Sequence, residues 1–179
     1  MIEIAVYGRG GQGVVVASHI LAHAYFLAGY EVQAFPMFGP ERRGTPVQAY
    51  IRVDAKPVRK RCHISDPAEV ILLHADTEIL KSLNPQLVVA DAGVVLPKTW
   101  GDKREVWVCD GMTIASKCHL GNELVSVPNT ALLGAYCRAT GRLKKKTLYE
   151  AIGEILHKHV KDNIKACRMG YQKVRKIGK

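Results

Sequence analysis

Apolar residues fall in short runs along most of this chain, and the lengths and borders of those runs predict alternating strands and helices. Ile2-Glu3-Ile4-Ala5-Val6-Tyr7 is a strand bounded by glycine. Gly8 to Gly13 is a glycine-rich turn, Val14 to Leu27 a helix closed by Gly29, and Glu31 to Phe35 a second strand. Such a strand–loop–helix–strand unit predicts parallel pairing in an α/β sheet. Pro36 to Pro46 reads as a long loop, followed by a hairpin of Val47 to Val53 and Pro57 to Cys62 that turns at Asp54-Ala55-Lys56. Val70-Ile71-Leu72-Leu73 and Leu87-Val88-Val89-Ala90 are fully apolar, as central strands buried on two faces are. Val106-Trp107-Val108 is a further strand, and a short helix from Thr113 to Leu120 ends at Gly121. Asn129 to Thr140 is a helix, with Asn129 as N-cap and Gly141 past its end. Thr147 and Glu150 form a capping-box pattern for one last helix, whose apolar positions Leu148, Ile152, Ile155, Leu156, Ile164 and Tyr171 largely keep helical spacing. The expected fold is α/β, with a mixed, mostly parallel sheet flanked by helices in a single domain over residues 1–179.

Composition narrows the class. A chain of 179 residues with 47% hydrophobic content has enough apolar surface for a core, which excludes disorder from low hydrophobicity. The longest apolar run, Val14 to Leu27, is broken by Ser18, His19 and His23 and falls short of the roughly 20 residues that span a bilayer. Met1-Ile2-Glu3-Ile4 reads as a strand rather than a signal peptide, so a cytoplasmic protein without membrane association is expected. Cys62, Cys109, Cys118, Cys137 and Cys167 are widely spaced and form no CxxC or CxxxC pair. Iron–sulfur and structural zinc sites commonly use such pairs, so no metal site is expected and free, mostly buried thiols are.

Charge becomes informative once it is located. Residues 1–137 hold 13 Lys+Arg and 13 Asp+Glu, whereas residues 138–179 hold 13 and 3, so the whole net charge of +10 sits in the last quarter. Nucleic-acid binding, docking on an acidic partner or ligand, and a solvated helix face are the three readings of such a segment. The face opposite the apolar stripe is expected to present Lys158, Lys161, Lys165 and Arg168. No nucleic-acid recognition motif accompanies it, which makes nucleic acid the weakest of the three readings.

Gly8-Arg9-Gly10-Gly11-Gln12-Gly13 satisfies G-x-G-x-x-G between a strand and a helix. Glycines let the backbone turn tightly and approach a ligand, and the helix N-terminus offers amides to an anion. A dinucleotide site also needs an acid at the end of the second strand, and Ala34-Phe35-Pro36 has none. That leaves a tight packing turn, a different phosphate, or a partner's cofactor. Pro36 to Pro46 holds Glu41, Arg42 and Arg43 in a loop stiffened by three prolines, and the arginine fork suits phosphate or carboxylate. An ordinary surface ion pair of Glu41 with either arginine is the alternative. His19 and His23 are four apart on a helix, but nothing in register completes a metal site, so packing is expected. His157 and His159 lie two apart, facing different sides of a helix. Asp91 and Asp110 follow strands and read as caps of the next segments.

The glycine motif, together with Phe38-Gly39-Pro40-Glu41-Arg42-Arg43-Gly44-Thr45-Pro46-Val47 and Val127-Pro128-Asn129-Thr130-Ala131-Leu132-Leu133-Gly134-Ala135, resembles the gamma subunit of pyruvate:ferredoxin oxidoreductase over nearly the whole chain. The resemblance implies a non-catalytic subunit of a complex that interconverts pyruvate, coenzyme A and oxidised ferredoxin with acetyl-CoA, CO2 and reduced ferredoxin. It implies thiamine diphosphate and iron–sulfur clusters in alpha, beta and delta partner subunits, none in this chain, and ferredoxin met through the complex. The loops holding Gly8, Arg9, Gly10, Gly11, Gln12 and Gly13 and Arg42, Arg43, Gly44 and Thr45 both follow strands early in a parallel unit, so they are expected at one edge of the sheet, facing the partner's active site and holding coenzyme A phosphates, with intersubunit packing as the alternative. The Glu-Arg-Arg-Gly-Thr-Pro form looks most like the pyruvate branch. Gamma subunits for 2-oxoglutarate, branched-chain oxoacids or indolepyruvate are the alternatives within the family, and a stand-alone nucleotide- or RNA-binding module is the alternative outside it.

Overall fold

The apolar runs at Val70 and Leu87 form adjacent central strands whose side chains are buried on both faces. The computed structural model describes residues 1–38, 46–121 and 126–177. In chain order the elements are β1 (Ile2–Arg9), α1 (Val14–Leu27), β2 (Glu31–Phe38), β3 (Pro46–Asp54), β4 (Glu69–Leu72), α2 (Thr77–Ser82), β5 (Leu87–Asp91), α3 (Trp100–Lys103), β6 (Glu105–Cys109), α4 (Gly111–Lys117), α5 (Asn129–Thr140), α6 (Lys145–Ile155), α7 (Val160–Lys173) and β7 (Arg175–Lys176). The strands make one mixed sheet of order β2-β3-β1-β4-β5-β6-β7. The ladders β1-β4, β4-β5 and β5-β6 are parallel, and antiparallel ladders lie outside them at both edges.

Alternation along β1 explains how the sheet is covered. Ile4 and Val6 join the core under α1 and α4 to α7, whereas Ala5 and Tyr7 join a smaller core with Tyr50, Ile64, Leu72, Leu80, Leu83 and Trp100. One face is therefore roofed by five helices, and the other by α2, α3 and loop segments. Helices α5 and α7 approach so closely that a Cβ on Gly134 would stand 1.9 Å from the Cys167 carbonyl oxygen.

Several sequence expectations change. Strands β1 and β2 run in the same direction but are not neighbours, because β3 lies between them and pairs antiparallel with both. The hairpin is thus β2–β3, not Val47–Val53 with Pro57–Cys62. Both edges of β3 are occupied, so residues 57–62 have no strand to join. They cross the sheet face as a strap instead, held by Arg52, whose guanidinium donates to the carbonyls of Lys60 (3.2 Å) and Cys62 (2.5 Å). Strand β2 continues through Pro36 to Phe38, where a loop was expected.

The short helix is α4, which starts at Gly111 and ends at Lys117. Pro128 rather than Asn129 occupies the N-cap of α5. The last helix is two helices, α6 and α7, because His159 adopts φ 53° and a left-handed residue cannot continue a right-handed helix. Thr147 lies inside α6, whose N-cap is Lys144, so the capping box does not form.

Candidate functional site

Four parallel strands deliver their carboxyl ends to one edge of the sheet. Strand β1 ends in the glycine loop, β4 leads to His74 and Asp76, β5 ends at Asp91, and β6 is followed by Asp110. From β1 the chain passes to α1 on the five-helix face; from β4 it passes to α2, whose Leu80 packs on the opposite face. Adjacent parallel strands whose connections leave to opposite faces open a crevice between them, which is the usual ligand position in open α/β sheets.

The glycine loop is built from within. The Arg9 carbonyl accepts the Gln12 amide (3.1 Å), and Gln12 Oε1 accepts the Arg9 amide (2.8 Å), closing a tight turn. Gly13 has φ 79° and is the N-cap of α1, so no side chain covers the first amides of that helix. Packing accounts for two of the glycines. A Cβ on Gly8 would come 2.6 Å from Val14 Cγ2, and one on Gly13 would come 2.4 Å from Asn129 Nδ2. Asn129 Nδ2 donates to the Gly13 carbonyl (3.2 Å), so the start of α5 holds the end of the loop.

Arg9 reaches across the crevice to Asp76 (3.2 Å), which also accepts from His74 Nε2 (3.1 Å). The hydrogen bond from His74 comes first, and with that from Arg9 it holds the Asp76 carboxyl below the usual carboxylate range. Arg9 and Asp76 are both 49% exposed. A pair so open to water is weak, so the guanidinium remains available to an incoming anion. A cleft of about 240 Å³ opens on the α1 side of the loop, lined by Gly13, Val16, Asn129, Lys158 and His159 among others.

Gly8, Arg9, Gly10, Gly11, Gln12 and Gly13 therefore stand together at the crevice. Arg42, Arg43, Gly44 and Thr45 lie outside the described residues. The ends of their segment are described: Pro46 pairs with Arg9, and Phe38 pairs with Val47. Strand β2 thus ends, and β3 begins, beside the point where β1 gives way to the glycine loop. Sequence reasoning missed Asn129, His74 and Asp76 as site residues. The glycine loop and its third motif were both in view, but nothing local in sequence reports that a helix start 116 residues away contacts the loop.

The other candidates resolve differently. His23 Nε2 meets Glu154 of α6 (2.5 Å), a carboxylate distant in sequence, while His19 is exposed on α1. Asp110 accepts the Thr113 amide, and Asp91 accepts the amides of Gly93, Gly111 and Met112. Burial outweighs those three donors and raises the Asp91 carboxyl. Cys109, Cys118, Cys137 and Cys167 are free and buried, and Cys62 is free and exposed. Among the described residues no group of three or more His, Cys, Asp or Glu could hold a metal ion. No helix of the described residues is long and apolar enough to cross a membrane.

Fold and crevice define an open α/β protein with a glycine loop and an uncapped helix N-terminus at the carboxyl edge of its sheet. The profile of the family "Pyruvate ferredoxin/flavodoxin oxidoreductase" matches residues 3–173, and the chain belongs to that family. It is 40% identical to the "Pyruvate/ketoisovalerate oxidoreductases common subunit gamma" of Pyrococcus furiosus, with 97% of each chain covered. It is 38% identical to the "Pyruvate synthase subunit PorC" of Methanothermobacter thermautotrophicus, covering 99% of this chain and 98% of that one. The crystal structure of pyruvate oxidoreductase subunit PORC from Thermotoga maritima has the same fold, with a TM-score of 0.77, 28% identity and 97% of each chain covered.

Proposed function

We propose that residues 1–179 form one gamma-type unit of a multisubunit pyruvate:ferredoxin oxidoreductase. The complex interconverts pyruvate, coenzyme A and oxidised ferredoxin with acetyl-CoA, CO2 and reduced ferredoxin, and the chain alone is catalytically silent. The observation that carries this reading is the end-to-end likeness to gamma subunits, together with a glycine loop set at a switch-point crevice. Thiamine diphosphate and the iron–sulfur clusters belong to alpha, beta and delta partners on this reading, and ferredoxin is met through them. A second reading is favoured by the name of the Pyrococcus furiosus relative, a subunit common to pyruvate and ketoisovalerate oxidoreductases. A shared gamma subunit implies that the oxoacid is selected elsewhere, so this chain also suits a branched-chain oxoacid complex.

The role we assign to the crevice is to face the partner's active site and hold the coenzyme A phosphates. The first amides of α1 and the Gly10-Gly11 backbone supply donors, and Arg9, Arg42 and Arg43 supply charge. Gln12, Gly8 and Gly13 shape the loop, and Gly44 and Thr45 complete the arginine segment. In the assembled enzyme, Arg42→Ala and Arg43→Ala should each raise the coenzyme A KM about tenfold, the cost of one charge-assisted contact, while the pyruvate KM stays level. Unchanged coenzyme A kinetics in an intact complex would refute this role and leave the crevice as a packing surface.

A further inference from the structure

The cations of residues 138–179 are not all equivalent once their partners are known. Arg142 is drawn into the sheet by Glu69 (2.6 Å), and Lys176 meets Glu105 (3.4 Å). Arg138 and Lys145 stand over the Tyr171 ring, and Arg168 leans towards Tyr149. Helix α7 buries Asn163, Ala166, Cys167 and Gly170, so its opposite, exposed side carries Lys161 and Lys165. Lys158 precedes them beside the cleft at Gly13. Lys173 follows them and, with Arg175, Lys117 of the neighbouring helix α4 and the acid Asp110, lines a second cleft of about 230 Å³. Among the described residues none of Lys117, Lys158, Lys161, Lys165 and Lys173 is ion-paired within the chain. The single acid of α7, Asp162, sits 3.7 Å from His159.

We infer that this lysine face of α7 and α4 is a docking surface for an acidic face of another subunit of the same complex. The inference rests on the subunit reading above. Lys161 and Lys165 lie one turn apart on the exposed side of α7, and Lys173, about 12 Å further on and about 80° round the helix, turns towards Lys117 of α4, so the cations form a strip winding along α7 with a cleft at each end rather than a point site. The strip holds a surplus of one sign, since Asp162 and Asp110 offset part of its lysine charge, and an oppositely charged surface relieves the remaining repulsion while steering its own approach. The cations are mostly lysines, compact and strongly hydrated charges suited to long-range attraction, where phosphate recognition favours the arginine fork. Aromatic rings, on which nucleic-acid bases would stack, stand to the side of the strip and are already engaged by Arg168, Arg138 and Lys145. The strip starts at the cleft beside the glycine loop, so a subunit seated on it stands next to the crevice.

The test is association of the folded chain with the co-expressed remaining subunits. The variant Lys158→Glu, Lys161→Glu, Lys165→Glu should keep the wild-type melting temperature yet lose at least about tenfold in association rate at low salt, and added salt should erase the difference. Lys161→Arg with Lys165→Arg should associate as the wild type does. If the triple variant folds and assembles at the wild-type rate at low salt, the docking surface is refuted while the subunit reading stands. If the wild type itself never associates, both fail. If the triple variant assembles normally but loses salt-sensitive RNA binding that the wild type has, the face is a nucleic-acid surface and the inference is overturned.

Discussion

Arg52 has no accessible surface, and its charge is met by Glu3 (2.9 Å), Gln33 (2.9 Å) and the two strap carbonyls. From sequence it stands between Ile51 and Val53 in an apolar strand, where a solvent-facing arginine would be equally natural. The strap is what buries it. Arg52→Ala leaves two carbonyls and the Gln33 amide oxygen without this donor and Glu3 with Lys60 alone, so it should cost about 3 kcal/mol in urea unfolding and speed tryptic cleavage near Arg59 to Arg61. A loss under about 1 kcal/mol would mean that water replaces the guanidinium at no penalty. Burial pushes the Glu3 carboxyl up, but hydrogen bonds from Arg52 and Lys60 overcome it and hold it below the usual carboxylate range. The stability this contributes is present above the ordinary carboxylate pKa and falls away as pH drops through the lowered one. Thiols offer a second residue-scale check. Burial pushes Cys109 up to about 12 and Cys137 up to about 11, whereas Cys62 is exposed on the strap. Thiolate is the reactive form, so native protein should show a single rapid iodoacetamide adduct, abolished by Cys62→Ser. Rapid labelling at two or more positions would contradict the burial of the other four.

Helices α5 and α7 touch through glycines. A Cβ on Gly170 would stand 1.9 Å from the Ala131 carbonyl oxygen, as one on Gly134 would from that of Cys167. Glycine to alanine in a helix interior ordinarily gains up to about 1 kcal/mol. Here the sign should reverse, with Gly134→Ala and Gly170→Ala each losing about 1–3 kcal/mol through overpacking, read as a lower thermal midpoint. A gain in midpoint would contradict the contact. At this scale the local signals were legible. Val14–Leu27 and Asn129–Thr140 match their expected spans because glycines and a loop signal bracket them. Pairing was not legible, since β3 takes both of its neighbours by a choice made across the sheet rather than along the chain. The break between α6 and α7 was hidden too, because His157-Lys158-His159 contains neither glycine nor proline.

In the molecule as a whole, contiguous motifs were readable and their convergence was not. Gly8 to Gly13 announces a tight glycine turn by itself, whereas Asp76 comes to Arg9 from 67 residues away and Asn129 reaches Gly13 from further still. The surplus charge of residues 138–179 was plain from counting, but which cations stay unpaired depended on Glu69, Glu105, Tyr149 and Tyr171. The central claim is that this chain works only within a pyruvate:ferredoxin oxidoreductase. Its most direct test is to co-express the chain with the remaining subunits, purify anaerobically through a tag on this chain, and assay ferredoxin reduction. The account predicts a complex that reduces ferredoxin only when pyruvate and coenzyme A are both present, with no activity from the chain alone. A chain that purifies as a lone species, or a complex in which its removal leaves pyruvate- and coenzyme A-dependent reduction unchanged, would contradict it.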